Sequence, residues 1–391
     1  MKKQNKSSMF MSEATMSGKE TSNSIERTRE FNNENQDAGK AHAFCDSEDV
    51  MVTSNPKKSL SKKSRKNSGS KKPVIPVFFS IDSKYAPFFS VTLSSLLDNA
   101  SEEYAYRIIV LHQGLRTSDK KQLRKVPKIY PGKDVSFDFV PIRRNMSAIV
   151  RNMERQSGSL YKTLTIYYRL FIPVMFPEFE KAIYLDSDMV ITDDISKLYN
   201  VELGSHLLGA VNDGSVYGVK PFAEYIQQAL GIELTKYVNS GVLLMNMSGL
   251  REVHFHDRFL ELMNRYGFDT VAPDQDYINV LCKDRILLLN GRWNTMPLRG
   301  VPEKDEIGIV HYNLNNKPWR FDNIPYGELF WRYAETSPYY RTILRVREQY
   351  NEPSRHADEM KIKELLECAS RMVSEAFNFR TVYALGLEMP L

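Results

Sequence analysis

Two aspartates, Asp186 and Asp188, lie one residue apart directly after the apolar run 181–185. The run has the composition of a buried strand, so the carboxylates are predicted to stand at its C-terminal end, the edge at which open α/β sheets bind ligands. Two carboxylates at this spacing can reach one hard divalent cation whose other ligands are phosphates and water. Asp and Ser are also ordinary turn residues, so a strand followed by a polar turn is the alternative interpretation.

Three further apolar runs end in polar residues that could join this pair. Asp82, Asp213 and His311 each come directly after such a run. In a parallel sheet these ends lie at one edge, which predicts a binding crevice. His311 would add a nitrogen ligand and shift the metal preference from Mg²⁺ toward Mn²⁺, with Mg²⁺ still open. Taken alone, such a histidine is more often structural, but Lys317 follows closely and could neutralise a phosphate as a point charge.

Apolar periodicity predicts strands that alternate with helices from residue 74 onward. Alternation at this spacing gives right-handed crossovers and a mostly parallel, Rossmann-like sheet flanked by helices, the α/β class. The predicted strands cover residues 74–81, 107–111, 135–140, 181–185, 207–211, 241–246, 285–289 and 307–310. The predicted helices include one after Pro87, one over 117–126, one over 159–176 and one that begins at Pro273.

Composition divides the 391 residues into three predicted regions. Residues 1–72 are rich in Lys, Ser, Asn and Glu without an apolar period, so they are predicted to be a disordered tail. Residues 73–325 hold the strands, and the helical pattern of 326–391 predicts a packing annex, with a membrane-surface helix as the alternative. The net charge of +5 comes mainly from the lysine-rich run 56–72. A solvated linker is the favoured interpretation of that run, and contact with an anionic membrane or nucleic acid is the alternative.

Cysteine spacing and hydropathy predict the cellular compartment of the protein. No stretch reaches the ~18 apolar residues of a membrane span, and the first residues lack the apolar region of a signal peptide. Cys45, Cys282 and Cys368 are scattered and form no C-x-x-C pair, which indicates neither a disulfide framework nor a zinc knuckle. These features predict a reducing, cytoplasmic setting.

Seven short motifs resemble, in order and spacing, those of the family 8 retaining glycosyltransferases, the group that includes glycogenin and bacterial lipopolysaccharide galactosyltransferases. The resemblance runs from about residue 74 to 319. It implies a GT-A fold, a UDP-sugar donor and a manganese ion, with magnesium as the alternative. The motifs are FSIDSKY at 79–85, YRL at 168–170, YLDSD at 184–188, GAVND at 209–213, NSGVLLMN at 239–246, DQD at 274–276, and HY at 311–312 leading to KPW at 317–319.

The same resemblance implies a role for each matching position. The metal, which bridges the diphosphate, would be held by Asp186, Asp188 and His311. Asp82 matches the carboxylate that recognises uracil, and Tyr85 matches the aromatic residue that stacks on the base. The donor-binding positions are Ser80, Asp82, Tyr85, Arg169, Asp186, Ser187, Asn239, Ser240 and Lys317. The catalytic positions, on the sugar's reacting face, are Gln275, Asp274 and Asp213.

One position departs from the family pattern. Leu314 stands where the family commonly has a glycine between the histidine and the lysine. Glycine there allows close backbone approach to the diphosphate, so leucine suggests a different loop path and puts Asn313 and Leu314 in doubt as phosphate contacts. His254 and His256 offer a rival metal pair. Their charged, apparently helical segment favours ordinary surface histidines.

These observations together predict a cytoplasmic hexosyltransferase, in peripheral contact with the inner face of the membrane if the basic tail or the annex binds lipid. It would move glucose or galactose from UDP to a hydroxyl of a glycan, a lipid-linked saccharide or a protein. Metal and lysine would stabilise the departing UDP. Same-face attack by the acceptor is the preferred route, and a covalent intermediate through a carboxylate stays open. The rival interpretations are a catalytically silent UDP-sugar-binding protein, motivated by Leu314, and nucleic-acid binding by the tail, which is not expected.

Overall fold

The computed structural model describes residues 72–142, 164–297 and 306–391. The tail predicted over 1–72 lies outside this part of the chain except for Lys72, so its disorder stays a prediction. Within the described ranges the strands are β1 (Val74–Ile81), β2 (Ala105–His112), β3 (Asp134–Pro141), β4 (Lys181–Leu185), β5 (Met189–Ile191), β6 (Leu208–Asn212), β7 (Val238–Asn246), β8 (Ile286–Leu288) and β9 (Ile309–His311).

Helices flank the strands and dominate the C-terminal region. The α-helices are α1 (Ala86–Asn99), α2 (Thr117–Leu123), α3 (Ile172–Met175), α4 (Ser196–Tyr199), α5 (Lys220–Tyr225), α6 (Met247–Glu252), α7 (Phe255–Tyr266), α8 (Pro273–Leu281), α9 (Gly327–Thr336), α10 (Tyr340–Gln349), α11 (Glu352–Ser374) and α12 (Phe379–Ala384). Short 3₁₀ segments cover Val126–Ile129, Leu164–Phe171, Gly214–Val216, Leu234–Lys236 and Gly291–Asn294, and a π segment covers Ile226–Leu230. Helices α9 to α12 confirm the predicted helical annex.

Seven strands form one sheet in the order β3-β2-β1-β4-β7-β6-β8. All neighbouring pairs are parallel except those of β7, which runs antiparallel to both β4 and β6. The mostly parallel sheet predicted from the strand and helix spacing is therefore confirmed. Strand β1 shows why its sequence is apolar throughout: Val77 and Phe79 enter the core on one face, while Phe78 enters the core on the other.

The direction of β7 determines which side chains lie at the functional edge, the edge of the sheet that holds Asp82, Asp186 and Asp213. Strands β1, β4 and β6 point the same way, so Asp82, Asp186 and Asp213 follow their C-terminal ends at one edge of the sheet. Strand β7 runs the other way and brings its first residues, among them Asn239 and Ser240, to that same edge. A parallel β7 would have put these two residues at the opposite edge.

His311 reaches the edge by a different route from the one predicted. It was expected to follow a strand of the main sheet, but β9 pairs antiparallel with β5 in a separate two-stranded sheet. The chain turns sharply through Asp186 and Asp188, so β5 leaves the main sheet directly after β4. In the β5–β9 register Met189 lies opposite His311, which places the histidine next to the turn.

The long helix predicted over 159–176 is helical throughout its described part, from Leu164 to Met175, but only its last turn is α-helical. Residues 159–163 lie outside the described ranges, and from Leu164 the chain forms a 3₁₀ segment that gives way to the single turn α3. Pro173 has no amide hydrogen, so a continuous α-helix would lose its bond to the carbonyl of Arg169. Proline is instead accommodated in the first turn of α3.

None of the helices among the described residues is long and apolar enough to cross a membrane. The annex helix α11 is the longest of them, with 23 residues. Its exposed positions carry both acids and bases, as the sequence pattern indicated. A bilayer-surface role for the annex stays a prediction.

His112, at the end of β2, should make stability depend on pH. It is 3% exposed, its Nδ1 accepts the Leu115 amide hydrogen at 3.2 Å, and burial lowers its pKa from 6.5 to about 4. Between these values the unfolded chain binds a proton that the folded chain does not. The free energy of unfolding should therefore fall as pH drops from 6.5 to 4, by up to about 3 kcal/mol.

Urea unfolding of wild type and His112→Asn at pH 7 and pH 4.5 tests this effect. Asparagine keeps an acceptor for the Leu115 amide without the titration, so its stability should decline less. The matched control is His356→Asn, because His356 is exposed. An equal loss of stability on acidification with and without His112 would contradict the assignment.

Candidate functional site

Asp186, Asp188 and His311 form a cluster at the functional edge. Each offers a ligand atom within 4.8 Å of the other two, a grouping of acids and histidine that among the described residues occurs at this place alone. His311 Nε2 lies 3.4 Å from Asp188 Oδ1 and 3.8 Å from Asp186 Oδ2. Two carboxylate oxygens and an imidazole nitrogen are a suitable donor set for Mn²⁺ or Mg²⁺.

Gly241 on β7 makes room for this cluster. A Cβ atom at this position would lie 2.4 Å from His311 Cε1 and 2.9 Å from Asp186 Oδ2. Both distances are shorter than any real contact, so a side chain here would push the histidine and the aspartate apart. The glycine therefore leaves room for His311 and Asp186 to approach each other, and the residues present fit a divalent cation.

Arg169 is a buried cation that joins two of the acids. Its Nη2 lies 2.8 Å from Asp186 Oδ1, its Nε lies 3.1 Å from Asp274 Oδ2, and its Nη1 donates to the Ser240 carbonyl at 2.7 Å. Its guanidinium also lies over the Tyr184 ring, 4.4 Å from the centroid. Burial opposes the charge, but the two carboxylates raise the pKa of Arg169 above its ordinary value. Most of its N–H groups are thus used within the protein.

Asp188 has a cation of its own. Lys317 Nζ donates both to Asp188 Oδ2 and to the Tyr312 carbonyl, and both charged side chains are largely buried. Burial alone would raise the pKa of Asp188, but the charge of Lys317 holds it well below its usual range. The lysine predicted to contact the diphosphate therefore stands beside a predicted metal ligand.

The predicted sugar-side residues form a second, contiguous cluster. Asp213 Oδ2 accepts hydrogen bonds from Asn239 Nδ2 at 3.1 Å and from Gln275 Nε2 at 3.0 Å. Gln275 Oε1 accepts from the Ser240 amide at 3.0 Å, and Ser240 Oγ donates to Asp274 at 2.9 Å. All of these side chains are buried. The structure thus brings together Asp213, Asn239, Ser240, Asp274 and Gln275, as the motifs indicated.

Helix α8, which carries Asp274 and Gln275, is anchored by two side chains that had no assigned role. Asp276 accepts from the hydroxyls of Tyr225 and Tyr237 at 2.8 and 2.7 Å, and burial raises its pKa to about 6. Asn279 binds both the amide and the carbonyl of Val238 on β7, at 2.8 and 2.9 Å. These contacts hold the first turn of α8 against the start of β7.

Helix α1 anchors the turn that carries the two metal-site aspartates. Thr92 Oγ1 lies 2.9 Å from the carbonyls of Ser187 and Met189 and accepts the Met189 amide hydrogen at 3.2 Å. Ser95 Oγ accepts from the Ile191 amide at 2.9 Å. Neither hydroxyl belonged to a recognised motif. A spacing of three residues on a buried helix was the only signal for them in the sequence.

The predicted base-binding residues lie at the start of α1. Asp82 Oδ1 accepts the amide hydrogens of Lys84 and Tyr85 at 2.8 and 2.9 Å, which shapes the turn into the helix. The Tyr85 ring packs edge-on against Phe88, with centroids 5.8 Å apart, and Phe88 stacks on Trp319 at 3.9 Å. Burial and the charge of Asp188 raise the pKa of Tyr85. Ser80 and Ser187 lie on the same edge, the first at the end of β1 and the second within the metal-site turn.

Leu314 lies in the loop after β9, and the two rival histidines lie at the start of α7. Leu314 has a φ of 49°, so its backbone adopts the left-handed conformation that glycine favours, and the substitution does not require a different loop path. Neighbouring Asn313 is buried and donates to Met296 Sδ at 3.3 Å. His254 is exposed and His256 packs edge-on against Phe171 at 5.2 Å. The surface location predicted for the two histidines holds for His254, whereas His256 is partly buried.

The family model for glycosyl transferase family 8 matches residues 76–323. The chain belongs to this family. Proteins similar in sequence include a putative glycosyltransferase of Haemophilus influenzae, 27% identical over 251 residues that cover 62% of this chain and 72% of the relative. Another is the lipopolysaccharide 1,2-glucosyltransferase of Escherichia coli, 27% identical over 169 residues, with 39% of this chain and 48% of the relative covered.

A solved structure supports the same architecture for this family 8 chain. The galactosyltransferase LgtC, solved in complex with donor and acceptor sugar analogues, superposes with a TM-score of 0.54 at 23% identity, covering 68% of this chain and 96% of LgtC. Together with the seven-stranded sheet and the C-terminal helices, this confirms the predicted GT-A fold. The protein is therefore a glycosyltransferase of family 8.

Leu314 should be replaceable by glycine with a gain in stability. The left-handed conformation costs a residue with a Cβ atom roughly 1–2 kcal/mol, and Leu314 is 48% exposed, so little packing is lost. Leu314→Gly should raise the free energy of unfolding by about 1 kcal/mol in urea titrations. Leu314→Ala keeps the Cβ atom and serves as the control. A glycine variant no more stable than the alanine variant would show that the residue is not strained.

Proposed function

We propose that this protein is a retaining hexosyltransferase that moves glucose or galactose from a UDP-sugar to a hydroxyl acceptor, with Mn²⁺ as its metal and Mg²⁺ as the alternative. The observation that carries the proposal is the convergence of Asp186, Asp188 and His311 within 4.8 Å of one another. Family membership supports sugar transfer, and the name of the Escherichia coli relative supports a hexose.

The leaving-group side of the reaction belongs to the charged cluster. Asp186, Asp188 and His311 would hold the divalent ion, which when bound supplies Lewis-acid stabilisation of the diphosphate. Arg169 orients the Asp186 carboxylate through its 2.8 Å contact. Lys317 is a preorganised positive charge next to Asp188, suited to stabilising the negative charge that develops on UDP.

The base of the donor is assigned to the turn before α1. Asp82 would accept a uracil N–H, because its other bonds to the amides of Lys84 and Tyr85 hold the carboxylate in one orientation. Tyr85 would stack on the base, supported from behind by Phe88 and Trp319. Ser80 and Ser187 complete the donor-binding edge.

The sugar's reacting face belongs to Asp213, Asp274 and Gln275. The Gln275 amide is held at both ends, since its Nε2 donates to Asp213 and its Oε1 accepts from Ser240. Asp213 also accepts from Ser215, and Asp274 is paired with Arg169. Carboxylates engaged by several donors are weakened nucleophiles, so these contacts favour same-face attack by the acceptor over a covalent intermediate.

The acceptor is proposed as a glycan, a lipid-linked saccharide or a protein, in a cytoplasmic setting with peripheral membrane contact. Both cysteines in the described ranges, Cys282 and Cys368, are free and buried, which is in keeping with a reducing compartment. No role for nucleic acid is proposed. Incubation of cell extract with a panel of UDP-sugars, followed by mass spectrometry of the products, identifies sugar and acceptor together.

The alternative function is a UDP-sugar-binding protein without turnover, which Leu314 motivates. Calorimetric titration with UDP-glucose and UDP-galactose, with and without Mn²⁺, measured beside release of UDP, separates the two. Tight metal-dependent binding with no UDP released to any acceptor or to water would overturn the enzyme assignment. The retained left-handed backbone at Leu314 supports the enzyme, because the loop keeps the shape that glycine would give it.

Removal of the histidine should abolish metal-dependent activity. His311→Ala takes away one of three donors, so the affinity for Mn²⁺ in calorimetry should fall by about 10- to 100-fold or more. His356→Ala is the control at an exposed site. Unchanged turnover and Mn²⁺ affinity in His311→Ala would contradict the ligand set.

Asp188→Asn should combine loss of metal binding with loss of stability, because it leaves Lys317 buried without its counter-charge. Breaking such a buried pair costs about 3–5 kcal/mol. A fold-stability measurement must therefore accompany the metal titration of this variant, and His311→Ala is the cleaner test of the site.

Gln275→Ala should lower the rate of transfer more than the affinity for the donor. The variant removes the amide between Asp213 and the Ser240 backbone at the reacting face, and kcat should fall on the order of 100-fold. KM for the donor should change by a few-fold at most. A large rise in KM at unchanged kcat would make Gln275 a binding residue.

A further inference from the structure

Asn294 links the two clusters of the site, although it belongs to none of the motifs. It ends the 3₁₀ segment Gly291–Asn294 and is 3% exposed. Its Oδ1 lies 2.9 Å from His311 Nδ1, and its Nδ2 donates to Asn239 Oδ1 at 2.9 Å. Asn239 in turn contacts Asp213. A continuous chain of side chains therefore runs from the sugar-side carboxylate to the metal-site histidine.

The direction of every hydrogen bond in this chain is set at its ends. Asp213 Oδ2 accepts from both Gln275 Nε2 and Asn239 Nδ2, so Asn239 turns its Nδ2 toward Asp213, at 3.1 Å. The Asn239 Oδ1 then accepts from the Gly241 amide at 3.0 Å, which agrees with that orientation, and from Asn294 Nδ2. Asn294 is left with its Oδ1 toward His311. A carbonyl oxygen cannot donate, so His311 Nδ1 must carry the hydrogen.

The surroundings of Nε2, taken alone, would favour the other tautomer, with the hydrogen on Nε2. Nε2 faces Asp188 Oδ1 at 3.4 Å and Asp186 Oδ2 at 3.8 Å, and two carboxylates would stabilise a hydrogen on Nε2. That tautomer would set the Nδ1 lone pair against the Asn294 oxygen at 2.9 Å. Asn294 thus supplies the contact that keeps the Nε2 lone pair directed at the point where the carboxylates converge.

We propose that Asn294 is a positioning residue that fixes His311 as the Nδ1–H tautomer and so prepares Nε2 as a metal donor. The inference rests on the proposed function for its purpose, but the tautomer itself is a property of the protein alone. A merely structural asparagine would also fill this buried site, yet its replacement would leave the protonation pattern of His311 unchanged. The tautomer is therefore the deciding measurement.

The test is ¹⁵N-histidine NMR of the full-length protein without metal, with the His311 signals assigned by their absence in His311→Gln. At a pH high enough to leave the imidazole neutral, the wild type should show a protonated Nδ1 and an unprotonated Nε2. Asn294→Leu should shift His311 to the Nε2–H form or to a mixture. Asn294→Asp keeps the acceptor and should retain a protonated Nδ1. The matched control is Asn200→Leu, because Asn200 makes an exposed bond to Tyr104.

Calorimetry with Mn²⁺ gives the second readout. Asn294→Leu should lower the affinity about 10- to 100-fold, as expected for loss of the partner of a metal-binding histidine. A wild-type protein whose neutral His311 carries its hydrogen on Nε2, or an Asn294→Leu protein with the wild-type tautomer, would overturn the proposal. The first outcome needs no variant, so a misfolded Asn294→Leu still leaves the proposal open to refutation.

Failure of the proposed function gives a different result. A wild-type protein that binds no Mn²⁺ would remove the metal site from the proposed function, while the tautomer measured by NMR would still decide the role of Asn294.

Discussion

The buried guanidinium of Arg169 is the contact on which the site depends. Asp186 stands at the end of β4 and Asp274 in the first turn of α8, and neither element pairs with the other. Without a cation, the partly buried Asp186 and the buried Asp274 would repel each other. Arg169 lies between them and forms an ion pair with each. Lys317 forms the corresponding buried ion pair with Asp188. Asp186, Asp274 and Asp188 are therefore each matched by a cation from another segment, whereas the buried Asp213 is held by the neutral donors Asn239, Gln275 and Ser215.

The reversed strand β7 is what makes one site out of two clusters. Near its start, Asn239 binds Asp213 and Ser240 binds Asp274. The next residue, Gly241, leaves the space in which His311 approaches Asp186. Asn279 ties this end of β7 to α8, so strand and helix position their side chains as a unit. A single backbone stretch thus sets the distance between the cluster of Asp186 and His311 and the cluster of Asp213 and Gln275.

The sequence allowed the edge of the sheet to be predicted, but not the contacts made there. Apolar runs that end in polar residues placed Asp82, Asp186 and Asp213 together, because parallel strands share an edge. The route of His311 could not be derived, since periodicity shows that residues 309–311 form a strand without showing that β5 is its partner. The roles of Asn294 and Thr92 could not be predicted for a related reason. A single buried amide or hydroxyl produces no sequence pattern, and both side chains bind residues that are distant along the chain.

The position of β7 also has a consequence for the order of folding. Strands β6 and β8 join the sheet only through β7, although β6 precedes β7 in the chain. During synthesis β1, β2, β3 and β4 can pair as soon as they leave the ribosome, whereas β6 must wait for a strand that has not yet been made. The half of the sheet that bears Asp82 and Asp186 can thus form before the half that bears Asp213. The pairing of β1 with β4 closes a far longer loop than the pairing of β6 with β7, and long-range pairing slows folding because the intervening loop must close before any contact rewards it.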